Sequence, residues 1–384
     1  MAKSNTGPGP KNIDPVTAPI GARPISEGRG ISASPLFRLI DQKLIRHEVF
    51  PANRGGDRSV GALLHKSLCQ QLYAWGMSLS RKPRYRTTNW KQYNAALKAR
   101  GSLTVWLDKE IPWFAAASGK RGRSPKFSDA AIQFCLTLKN LFGLALRQTT
   151  GLVESVLQLC GLAWSAPDFS TLCRRQRDLD VQIPYTRSKA GLHLLVDSTG
   201  IKFLGEGEWK CKKHGAEYRR QWRKLHIGID ADTLQIRAIC VTSNNVSDAS
   251  VLSDLLAQLP SDEALKSLTG DGAYDTQPAY EAVVRHGAIP IIPPRKNARI
   301  RKGALFGYRN AAIAACRRLG RSIWKHWIGY HRRSLVETKM HCIKRLGERV
   351  MSRTFERQVN ELHIRAAILN RFTELGRPQT AAVA

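Results

Sequence analysis

Acidic residues are scarce in this chain. Of its 384 residues only 30 are Asp or Glu against 61 Lys or Arg, a formal charge of +31. Such an excess is the footprint of a protein that neutralises phosphates, so nucleic acid is the expected partner. Long apolar runs are also missing: no stretch approaches the roughly 18 residues of a membrane span, and the start has an early lysine but no apolar signal segment. A location in the cytoplasm, with the nucleoid, is expected. The eight cysteines (69, 135, 160, 173, 211, 240, 316 and 342) follow no framework spacing, and most have apolar neighbours. Reduced thiols are therefore expected. Cys211-Lys212-Lys213-His214 has half the spacing of a zinc site, but no second Cys/His pair lies suitably near, which argues against zinc.

The positive charge is unevenly spread. From Arg295 to Arg333 there are twelve basic side chains and no acidic one before Glu337, and from Met77 to Trp106 there are seven and none. Apolar content of 42% suffices for a sizeable core. Residues 1–76 differ from the rest, opening on Gly7-Pro8-Gly9-Pro10 with further prolines at 15, 19, 24, 35 and 51. Little structure is expected there beyond two short apolar stretches, Leu36 to Phe50 and Val60 to Trp75. Met77 begins a plausible basic start, and 1–76 is read as an extension upstream of it.

A helical, DNA-binding domain is expected over 77–188. Ala131, Phe134, Cys135, Leu138 and Leu141 repeat at helical spacing from Ser128 to about Asn140. Phe142-Gly143-Leu144 makes a break, Thr149-Thr150 cap a second helix, and Pro167 to Ser170 cap a third, Thr171 to Asp178, carrying Arg174, Arg175 and Arg177. Three short helices with a basic final element fit a helix-turn-helix, and equally an ordinary small bundle.

After Arg187 the period shortens. Leu192 to Val196 reads as a buried strand ending in Asp197, and Arg223 to Asp230 and Leu234 to Thr242 as two more strands. Ser247-Asp248 cap a helix. A fourth strand, Ser267 to Gly270, leads into Asp271, a helix spans Gln277 to Arg285, and Ala288 to Ile292 is a fifth strand. The last helix carries Tyr330, Arg333, Glu337 and Lys344, which at 100° per residue share an arc of roughly 60°. A solvated face with an Arg333/Glu337 pair is one reading of that stripe. The order of elements is that of an α/β, RNase H-like catalytic domain over 189–372, a mixed five-stranded sheet flanked by helices, followed by a disordered tail, 373–384. In that order Asp197, Asp271 and Glu337 converge. Three carboxylates suit phosphodiester chemistry, where two Mg²⁺ ions activate the nucleophile and steady the leaving oxygen.

The spacing Tyr330-x2-Arg333-x3-Glu337-x6-Lys344 resembles the signature around the catalytic glutamate in DDE transposases of bacterial insertion sequences. Val196-Asp197-Ser198-Thr199-Gly200, Gly270-Asp271-Gly272-Ala273-Tyr274-Asp275 and Tyr85-Arg86-Thr87-Thr88-Asn89-Trp90 look like the insertion-sequence-five family in particular. The resemblance covers roughly Met77 to Phe372. It implies an enzyme that binds terminal inverted repeats, cuts at the element ends and joins them to target DNA. Asp197, Asp271 and Glu337 carry over as the catalytic triad, holding two Mg²⁺ or Mn²⁺ ions, with Tyr330, Arg333 and Lys344 gripping DNA. Arg295, Lys296, Arg299, Arg301 and Lys302 are expected to track the backbone of double-stranded DNA, and Trp324 or Trp327 either stacks on a base or fills the core. His226 reads as structural, Asp248 as a helix cap, and Asp275 as a cap or an outer partner of the site. A homo-oligomer, dimer or higher, is expected in the synaptic complex. A nuclease without strand transfer and a non-catalytic repressor are the competing readings.

Overall fold

The computed structural model describes residues 84–383 except Ser118, Lys120, Arg121, Arg123, Lys189 and the segment 204–221. The chain divides into two units, 1–82 and 83–384, and the first lies outside the described residues. The two apolar stretches of 36–75 and the Cys211/His214 pair therefore lie outside them too.

The second unit opens with strand β1 (Arg84–Thr87) and helix α1 (Trp90–Arg100). Three helices follow. In α2 (Asp129–Phe142) the Ser128 hydroxyl accepts from Ala131 N at 3.0 Å, and Gly143, at φ 64°, ends the helix in a left-handed turn that an L side chain would strain. Helix α3 (Leu146–Leu159) starts earlier than the Thr149-Thr150 cap expected for it. Both hydroxyls instead bond back to carbonyls inside the helix, Thr149 to Ala145 and Thr150 to Leu146, and the Gln148 side chain receives Ala145 N. Asp168 caps α4 (Phe169–Asp178) through Thr171 N. The short turn falls between α2 and α3, whereas α3 and α4 are separated by residues 160–168. A helix-turn-helix ending in α4 would place it one helix later.

The central sheet has the order β4-β3-β2-β5-β6, with β2 (Leu192–Phe203), β3 (Arg223–Asp230), β4 (Ile236–Ser243), β5 (Leu265–Thr269) and β6 (Ile289–Ile291). The first three are antiparallel neighbours; β2, β5 and β6 run parallel. The alternation of β2 sends Leu194 and Val196 to one face and Leu195 and Asp197 to the other. Helices α5 (Asp248–Leu256) and α6 (Gln277–Arg285) cover the first face, where Leu252, Leu256, Ala279 and Val283 pack on Leu192, Leu194 and Val196.

The segment 304–345, expected as one basic run leading into a single helix, is broken into several. It forms α7 (Gly307–Leu319), α8 (Arg321–Trp327), a 3-10 turn at Tyr330–Arg333 and then α9 (Ser334–Arg345). Gly329, at φ 71°, makes the corner. A two-residue strand β7 (Arg349–Val350) pairs with the end of β2, and α10 (Phe355–Leu375) follows.

Helix α10 belongs to two cores at once. Ile364, Ala367 and Ile368 pack with α2, α3 and α4, while Leu362, Ala366 and Leu369 pack with the sheet and with Val336, Met340 and Ile343 of α9. The helical part therefore closes its core on an element that comes after the central sheet. Residues 373–384, expected as a disordered tail, are ordered through 383: α10 runs to Leu375, and β8 (Thr380–Val383) pairs antiparallel with β1. Asn89 fastens this clasp from both sides, donating to Arg377 O and accepting from Gln379 N. Among the described residues six cysteines are free, and no helix is long and apolar enough to cross a membrane.

Candidate active site

Asp197 lies inside β2, not at its end as the sequence suggests. The ladder to β5 stops at Leu195 and Thr269, and beyond it β2 continues to Phe203 on its antiparallel partner β3. Asp197 thus stands just past the point where the parallel neighbour turns away, which opens space beside its carboxylate. Asp271 follows the end of that neighbour. Its Oδ1 accepts from Ala273 N at 2.9 Å and caps a 3-10 turn over Gly272–Tyr274. The two aspartates leave adjacent parallel strands at the same edge of the sheet, the edge where ligands collect in α/β proteins.

Helix α9 brings the other groups. Arg333 Nη1 donates to Asp197 Oδ2 at 2.5 Å, and Arg333 Nη2 donates to Glu337 Oε1. Glu337 sits in the first turn of α9 and is half exposed, whereas Asp197 is mostly covered. Burial pushes the Asp197 carboxyl above its ordinary range; the neighbouring Asp271 charge adds to this, and Ser198 N–H and Arg333 oppose it. Burial works against the Arg333 charge, but Asp197, Tyr330 and Glu337 outweigh it and strengthen its hold on the proton.

Tyr330 is buried, with Arg333 5.9 Å and Lys325 4.9 Å from its ring centre, and burial raises its phenol. Lys344 Nζ donates to Thr199 Oγ1 at 2.7 Å, on the Asp197 face of β2. The stripe expected on one continuous helix is therefore split, because Tyr330 and Arg333 belong to the 3-10 turn. Tyr330 and Arg333 nevertheless meet beside Asp197, with Arg333 linked on to Glu337, and Lys344 docks two residues along the same strand.

The donor chemistry suits a hard divalent cation. Asp197 and Asp271 are two close carboxylates, one of which raises the proton affinity of the other, a repulsion that a dication relieves. Glu337 is joined to Asp197 only through Arg333, and among the described residues no three His, Cys, Asp or Glu side chains cluster closely enough to hold a metal ion.

Arg295, Lys296, Arg299, Arg301 and Lys302 are all exposed, on the loop after β6. Buried anchors hold this loop. Arg309 Nε pairs with Asp275 Oδ1 at 2.7 Å and its Nη1 donates to Arg299 O, while Arg295 N donates to Asp275 Oδ2. Asn310 bonds Arg301 N and O. Asp275 is thus the counter-ion of the basic loop and not a helix cap. A cavity of about 370 Å³ lies between Asp275, Arg295, Asn297, Arg299, Arg301 and Arg309. Trp324 is core, packed 6.4 Å from Tyr330, while Trp327 is exposed.

Asp248 does not cap its helix either; Ser247 does, accepting from Ser250 N at 3.3 Å. Asp248 instead faces β3, with Lys224 Nζ at 2.8 Å and His226 Nδ1 at 3.4 Å from Oδ1. Side-chain hydrogen bonds and Lys224 hold its carboxyl far below the usual range although burial opposes them. On α4, Arg175 is committed to Asp129 and Phe127 O, leaving Arg174 as an exposed arginine without an acidic partner among the described residues.

Residues 188–371 match the family model described as "Transposase DDE domain", and residues 98–206 match a second model with the same description. These matches make the sheet-bearing part a DDE-type nuclease and transferase domain. Together the matches span 98–371, more than two thirds of the chain, and the chain belongs to the DDE transposases.

Proposed function

We propose that this transposase serves a bacterial insertion sequence of the insertion-sequence-five family, binding its terminal inverted repeats, cutting at the element ends and joining the freed 3′-hydroxyls to target DNA. The observation that carries the reading is the Asp197–Arg333–Glu337 bridge set beside Asp271, which follows the end of the neighbouring strand. Asp197, Asp271 and Glu337 would hold two Mg²⁺ or Mn²⁺ ions, which supply an activated water or hydroxyl and offset charge on the departing oxygen.

The remaining work falls to the chain's own groups. Arg333 offers a planar fork matched to a phosphate, and its two carboxylate partners keep it aimed at the scissile region until DNA arrives. Tyr330 walls the guanidinium from behind. Lys344 braces β2 and contributes positive charge near the strand being cut. The loop carrying Arg295, Lys296, Arg299, Arg301 and Lys302 follows the backbone without reading bases. The helical part, α2 to α4, supplies sequence contacts, with Arg174 exposed for that purpose.

Glu337→Gln tests the reading. Cleavage of an end-containing duplex with Mg²⁺ should fall below detection while binding of the end persists. Retained cleavage would remove Glu337 from the chemistry. Joining of pre-cut ends to a target plasmid by the wild-type protein separates a transposase from a nuclease without strand transfer.

A further inference from the structure

The strand that carries Asp197 is also gripped from the opposite side of the sheet, by a carboxylate that the cleavage scheme leaves unused. Asp248 opens α5 at the same sheet edge as Asp197 and Asp271. Besides Lys224 and His226, the side chain of Ser198, the β2 residue paired with His226, helps to stabilise its charge. Lys224 Nζ also donates to Val246 O at 3.1 Å, and His226, fully buried, lies 2.9 Å from Thr242 Oγ1 through Nε2. Ser198 is the cross-strand partner of His226, and Ser198 N is the donor that holds Asp197 Oδ1 at 2.9 Å. Asp248 therefore ties the start of α5 to β3 at His226, whose partner on β2 is the residue next to Asp197.

Tyr274 completes the arrangement. Its side chain is fully buried, its hydroxyl has no hydrogen-bond partner, and it lies in the field of Asp248, Asp197 and Asp271. The ring fills the space over Gly270, where a Cβ would stand 2.8 Å from Tyr274 Cδ2 and 3.3 Å from Val196 Cγ2. Val196 and Gly270 immediately precede the two aspartates. Helix capping does not account for Asp248 at this place because Ser247 already fills that role.

We propose that Asp248 is a positioning residue for the Asp197–Asp271 pair, acting through Ser198 to fix the Asp197 carboxylate in the orientation that metal binding and cleavage require. This rests on the cleavage reading given above. Two variants of the full-length protein test it, Asp248→Asn and Ser198→Ala, together with their combination. The readouts are Mn²⁺ affinity of the DNA-free protein by calorimetry, kcat and KM for cleavage of an end-containing duplex, and the melting temperature. Each single variant should weaken Mn²⁺ binding and lower kcat by about tenfold, the scale seen for groups that orient ligands, with KM unchanged. The double variant should be no worse than the more severe single, since both act on one linkage.

Wild-type affinity and kcat in both single variants, strictly additive losses, or a lower melting temperature alone would overturn the proposal. Should Asp248→Asn fail to fold, Ser198→Ala decides, because it leaves the Lys224 pair in place. A wild-type protein that binds Mn²⁺ and cleaves, beside variants that match it, refutes only this inference. A wild-type protein that neither binds Mn²⁺ nor cleaves overturns the functional reading and this inference with it.

Discussion

Arg333 holds Asp197 through one guanidinium nitrogen and Glu337 through the other, so a single cation joins a strand carboxylate to a helix carboxylate across the candidate site. The charge that steadies these groups also competes with any metal ion for them.

Arg333→Ala should therefore have opposite effects on two measurements. Mn²⁺ affinity of the DNA-free protein should rise at least several-fold, since two unit charges about 4 Å apart at an effective dielectric near 20 interact by about 4 kcal/mol, and Arg333 stands beside the same carboxylates. Cleavage should fall about a hundredfold or more because the phosphate fork is gone. Calorimetry and a single-turnover assay check the pair; weaker Mn²⁺ binding in the variant would show that Arg333 organises the carboxylates and does not compete for them.

Arg309→Met strips the buried Asp275 of its guanidinium partner and leaves it the Arg295 N–H. Removing one member of a buried pair costs about 3–5 kcal/mol, and urea unfolding should show a loss of that order. Adding Asp275→Asn should return much of it. End binding should also weaken, since Arg309 fixes the basic loop through Arg299 O. If the loss of stability stays below about 1 kcal/mol, the pair is solvated in solution.

Lys339 supplies a pH test remote from the site. Burial, with Arg100 and Arg377 adding to it and Cys342 opposing, lowers its pKa from 10.5 to about 8. The unfolded chain binds the extra proton between these values, so this group's penalty is fully present below about pH 8 and disappears as pH rises toward 10.5. Lys339→Met should be more stable than wild type at pH 7, despite the lost 3.2 Å bond to Thr373 Oγ1, and the gap should narrow by pH 9.5. Urea melts at both values check it; a gap that does not change with pH would place the ammonium in water.

The sequence was most readable where one face of an element is apolar and the other is not. Strand β3 and helix α2 come out within two residues of their expected bounds, because a buried face repeats at the right period. Strand β2 was cut short at Asp197 because Ser198-Thr199-Gly200 looks like a turn; the polar residues persist in the strand because β3 pairs with them through Ile201. Helices α7 and α8 were hidden inside a basic run whose arginines serve as anchors for a loop. The carboxylates were visible from their contexts, but not the partners of Asp248, since Lys224 and His226 come more than twenty residues earlier and only the sheet brings them near. Asp275 and Arg309 escaped for the same reason, being 34 residues apart and adjacent only in the folded loop.

The pairing of β1 with β8 places Arg84 opposite Val383. Neighbouring strands lie about 4.8 Å apart, so the beginning and the end of the folded unit could be sewn together by a few residues with little loop-closure entropy. The unit is topologically near a ring. A circular permutant opened at another exposed loop should keep every contact described for the site, and a bulky fusion at either end would crowd the same patch of surface.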